Sequence, residues 1–108
     1  MTTFTTAPWN GDAGQWDSAD AYAKACLIDE NPPGKPKTKA LCKLPYQDPK
    51  TGAVNVNALH AAVAALAGGR GGVQATPASK KAAARKILAF YRERKEPPPP
   101  SLMRIAGA

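Results

Sequence analysis

The apolar positions of the chain are periodic in two stretches and irregular elsewhere. Leu59, Ala62, Val63 and Leu66 recur at i, i+3, i+4 and i+7, the spacing of one helix face. Asn55 or Asn57 offers a capping oxygen at the start of this helix, and Gly68-Gly69 stops it. A second helix opens at Thr76-Pro77, a hydroxyl at the cap and a proline where a missing N–H costs nothing. Its inward stripe is Ala84, Ile87, Leu88 and Tyr91, with Phe90 at the edge, and Lys95-Glu96 closes it before four prolines. GGRGGV (68–73) joins the two. A shorter helix is predicted over Ala19–Ala25, capped by Asp17 or Ser18, with Asp20 at the positive end of its dipole and Tyr22 and Cys26 on one face.

Outside these stretches turn chemistry dominates. The first sixteen residues, MTTFTTAPWNGDAGQW, show no period and read as an arm anchored by isolated aromatics. Three prolines and a glycine make DENPPGKPKTK (29–39) a loop, and its flanks at 25–28 and 40–46 are placed to pair as a small hairpin that Pro45 ends early. Such pairing would bring Cys26 and Cys42 near each other. QDPKTG (47–52) is a turn. Pro97–Pro100 predicts a polyproline rod, and in SLMRIAGA nothing local buries Leu102, Met103 or Ile105. The reading is a mainly α fold: an extended arm at 1–16, a helical domain at 17–96 and a proline-rich tail at 97–108.

Composition limits the core. Of the 108 residues 22 are alanine and only 16 are Leu, Ile, Val or Phe, so a compact helical centre with extended, poorly ordered ends is expected. The net charge of +7 is unevenly spread: five acids and one base in residues 1–30, three acids and fourteen bases in 31–108. A basic body suits a phosphate backbone or an acidic protein surface. No stretch approaches the roughly 18–20 apolar residues of a membrane span. The N-terminus lacks the charged and apolar regions of a secretory signal, so a reducing cytoplasm and two free thiols are expected.

Catalytic chemistry finds little footing. His60 is the single histidine and stands among alanines, without a carboxylate or nucleophile at useful spacing. No acid lies between Asp48 and Glu93, and GGRGG is followed by no G-K-[ST]. No catalytic residue, cofactor or metal site is assigned. Lys81, Arg85, Arg92 and Lys95 form a basic stripe on the second long helix, suited to phosphate contact but without interleaved aromatics for base stacking. Arg70, between glycines, can reach a phosphate or carboxylate.

Five segments together form a recognisable succession: W-D-S-A-D-A-Y-A-K-A-C (16–26), L-C-K-L-P-Y (41–46), N-V-N-A-L-H-A-A-V-A-A-L-A-G-G-R-G-G-V (55–73), A-A-A-R-K-I-L-A-F-Y (82–91) and E-P-P-P-P-S-L (96–102). The succession resembles a small domain of tailed bacteriophages, mainly actinobacterial, found in or beside prohead (capsid-maturation) proteases and other head-morphogenesis proteins. What the resemblance implies is a virion role: a minor capsid or decoration protein bound in many copies to the major capsid protein, in the host cytoplasm during assembly and in the capsid afterwards. The expected contacts are Trp9, Trp16, Arg70, Leu102, Met103 and Ile105, supplied by the two ends and the glycine loop. The alternatives are a small DNA-binding protein using the basic stripe, and an accessory or regulator of the maturation protease.

Overall fold

The computed structural model describes residues 2–68 and 72–107. Its elements run β1 (Phe4–Thr5), α1 (Ala19–Lys24), β2 (Cys26–Asp29), β3 (Cys42–Pro45), β4 (Val54–Asn55), α2 (Val56–Leu66), α3 (Pro77–Glu93) and α4 (Pro100–Ala106), with 3-10 turns at Ala13–Gln15 and Lys39–Leu41. The expected mainly α fold is corrected by this content: among the described residues 46% are helical and 13% lie in strands, a small mixed α/β protein. Strands of two to four residues are too short to show a period of two, so they weigh little in the sequence pattern beside the helices. The chain forms two compact units, Met1–His60 and Ala61–Ala108. No helix among the described residues is long and apolar enough to cross a membrane.

In the first unit the arm expected at 1–16 is part of the structure. β1 pairs in parallel with β4, Phe4 opposite Val54 and Thr5 opposite Asn55. Two asparagines hold it there. Asn55, only 2% exposed, donates through Nδ2 to the Ala7 carbonyl at 3.0 Å while its Oδ1 accepts from the Ala58 amide at 3.0 Å, capping α2. Asn57 donates to the carbonyls of Thr6 at 3.1 Å and Ala7 at 2.9 Å. On its other side β4 bridges to Gln47, and the Asn55 amide donates to the Tyr46 carbonyl at 2.8 Å.

The expected hairpin forms, β2 antiparallel to β3. Its register sets Cys26 opposite Pro45 and Cys42 opposite Asp29, so the two cysteines are not cross-strand partners; both are buried free thiols. Ser18 caps α1, its Oγ accepting from the Ala21 amide at 3.1 Å. Trp16, Tyr22, Cys26 and Cys42 form a buried cluster, the Trp16 and Tyr22 rings 5.0 Å apart and tilted by 56°, with Trp9 and Ala13 packed against it. Lys39 Nζ locks the entry to this cluster by donating to the carbonyls of Ala13 at 2.9 Å and Trp16 at 2.6 Å.

In the second unit Thr76 caps α3, Oγ1 accepting from the Ser79 amide at 3.2 Å, and Ala83, Ala84, Ile87, Leu88 and Tyr91 are buried. The helix closes through Lys95, in the left-handed region at φ 57°, with the Glu96 amide donating to the Tyr91 carbonyl at 2.9 Å. The proline rod is the second correction. It gives way at Pro100, which occupies the first turn of α4, where proline is tolerated. α4 packs on α3 and ends at Gly107, φ 75°.

Candidate functional site

The candidate site is the outer surface of α3 and α4, which carries most of the predicted contact residues. Successive helical residues turn by about 100°, so Lys81, Arg85 and Arg92 fall within about 40° of one another, on the flank of the buried stripe. All three are exposed, as is Lys95 just past the helix. Two of them also serve the fold. Arg85 Nε donates to the Ala106 carbonyl at 3.1 Å, and the Lys81 side chain lies over Gly107, where a Cβ would meet its Cε at 3.0 Å. Both cations thus sit at the negative end of α4, a placement worth about 0.3–1 kcal/mol each when exposed. Arg92 and Lys95 occupy the same position at the end of α3. Arg94 pairs with Glu96.

The partner contacts expected at the two ends are sorted by burial. Leu102 is fully buried, at 0% exposure, and Ala106 at 1%, so Leu102 is a core residue of the second unit and is corrected from a contact to a packing role. Trp16, 5% exposed, is corrected likewise: it is the centre of the first unit's aromatic cluster. The reason is the same for both. Each had no visible partner in sequence because its partners, Tyr22 and Cys42 for Trp16 and α3 for Leu102, come from other elements. Trp9 is half-buried, its indole close to Gly11, where a Cβ would lie 3.1 Å from Nε1 and 3.5 Å from Pro45 Cγ. Met103 and Ile105 are half-buried on α4. Arg70 lies outside the described residues.

Arg104 is a further exposed cation, on α4, that the tail's proline-rich sequence hides. The signal was present in Pro100 as a first-turn residue, Leu102 and Ala106 at i and i+4, and Gly107 as a stop.

In the first unit the long loop is closed at its neck. Asn31 accepts from the Thr38 amide at 2.8 Å and donates through Nδ2 to Asp29 at 2.7 Å, while Lys37 pairs with the other Asp29 oxygen. Lys37 and Asn31 hold the Asp29 carboxyl down to about 2. Burial acts oppositely on the cluster beneath: it pushes the Cys26 thiol up to about 12 and raises Cys42 and Tyr22 as well. Protonated, buried thiols are packing groups, not nucleophiles. Comparison with protein families, with characterised proteins and with solved structures finds no match.

Proposed function

We propose that the chain is a non-catalytic component of a tailed-bacteriophage head, bound in many copies to the major capsid protein. The observation that carries the reading is where the resembling segments lie in the fold. Trp16, Tyr22, Cys42, Asn55, Tyr91 and Leu102 all come from those segments, and all are buried. The reading is supported by the resemblance resting on residues that specify a fold and not on a surface stripe alone.

With Trp16 and Leu102 packed inside, docking falls to the half-buried apolar groups that remain partly accessible: Trp9 on the first unit, Met103 and Ile105 on α4. Each patch is small, and repetition over a symmetric shell supplies the avidity that a single contact lacks. Mass spectrometry of purified proheads and mature heads tests the reading. The polypeptide is expected in the particles, and Trp9→Ala or Met103→Ala/Ile105→Ala is expected to lower its copy number without unfolding it. Absence from both kinds of particle would overturn it.

A further inference from the structure

The net charge of the chain belongs to one unit. Residues 1–60 carry six bases and six acids, whereas residues 61–108 carry nine bases and two acids. Of those two acids, Glu96 is bound by Arg94. Glu93 follows Arg92 directly and so lies about 100° round the helix from the Lys81–Arg85–Arg92 stripe. The stripe itself is uninterrupted by negative charge over about 16 Å of helix.

Helix-end electrostatics explain why some of these cations sit where they do, but not the excess. Arg85 and Lys81 suffice for the end of α4, and Arg92 with Lys95 for the end of α3. Arg104, in the last turn of α4, and Lys86 add further exposed charge to the same unit. Such an excess on so small a unit repels itself, and the repulsion is relieved by a partner of opposite sign.

The chemistry of the face selects among anionic partners. Ala78, Ala82 and Ala89 are exposed on α3 beside the stripe, on the side toward Lys86, and none of the three reads base edges. Tyr91 is buried and Phe90 lies far round the helix from the stripe, which leaves no platform for unpaired bases. An acidic protein partner would call for an aromatic or aliphatic anchor at the centre of the contact, and beside the stripe on α3 the exposed apolar positions are alanines. Duplex DNA presents a phosphate on each strand every 3.4 Å or so of its axis, a lattice that a row of long cationic side chains matches without anchors or base readers.

We propose that the outer face of α3, through Lys81, Arg85, Arg92 and Lys95, binds the phosphate backbone of duplex DNA without sequence preference. This activity belongs to the purified protein and stands or falls separately from its presence in a particle.

Fluorescence anisotropy of the full chain on labelled duplexes of unrelated sequence, between about 50 and 200 mM salt, tests it. Equal affinity for the sequences is expected, with a log–log salt slope of about −3 to −4, the value for roughly four neutralised phosphates. Lys81→Gln/Arg92→Gln/Lys95→Gln is expected to weaken low-salt binding more than about tenfold and to shrink the slope by about 2 to 3. Arg92→Gln/Lys95→Gln gives the same test without touching the end of α4, and thermal unfolding of each variant checks that it folds. Lys24→Gln/Lys35→Gln/Lys50→Gln removes as much charge from the first unit and is expected to leave binding within about twofold. Equal loss in both triple variants, no binding at low salt, or polyaspartate competing as well as duplex would each overturn the proposal, the last in favour of an acidic protein partner.

Discussion

Lys95 sits at φ 57°, a conformation that costs an L-residue roughly 1–2 kcal/mol and glycine almost nothing. Lys95→Gly is therefore expected to raise the urea midpoint by the equivalent of about 1 kcal/mol while weakening DNA binding, a separation that a purely structural role for this lysine would not produce. Asp29 makes a pH prediction. Its folded value, about 2, lies below the ordinary 3.8, so the stabilisation is fully present above pH 4 and is lost as pH falls toward 2. Urea midpoints across that window should fall less steeply for Asp29→Asn than for the parent chain. At this scale the sequence is most readable where the partner is local: Ser18 and Thr76 cap helices through amides three residues on. Asn55 takes the cap through the Ala58 amide, also three residues on, whereas the bonds of Asn55 and Asn57 to Ala7 and Thr6, about fifty residues away, have no local signal.

Elements divide in the same manner. α2 and α3 are legible because eleven and seventeen residues repeat a pattern. α4 is obscured by the prolines before it, although the last of them, Pro100, begins the helix. The β1–β4 pair is two residues long and joins positions fifty apart, so neither length nor periodicity announces it. α4 supplies a sharp test of which tail residues pack. Leu102→Ala is expected to destabilise the second unit by about 2–5 kcal/mol, the range for deleting a buried leucine side chain, whereas Met103→Ala should cost about 1 kcal/mol or less. Equal, small losses in chemical denaturation would mean that α4 does not seal the unit.

For the whole molecule, packing and charge are assigned to different places. The small stock of bulky apolar groups predicts ends that hold on to other molecules, yet the chain uses Phe4–Thr5 and Pro100–Ala106 to complete its own units. Alanine-rich helices bury little area each, and recruiting both ends adds to what is buried. The division of charge, by contrast, is written in the sequence and becomes visible once the boundary at His60–Ala61 is known. It leaves the exposed side of α3 rich in cations.

The central claim, that both ends belong to the folded units, is tested most directly by native-state hydrogen exchange on the lone protein. The Val54 amide, bonded to the Thr3 carbonyl at 2.8 Å, and the Gly107 amide, bonded to the Arg104 carbonyl at 3.2 Å, report on the two ends separately. Both are predicted to be protected well above the rates of an unfolded chain, together with residues 103–106. Exchange of either end at unfolded-chain rates would contradict the account.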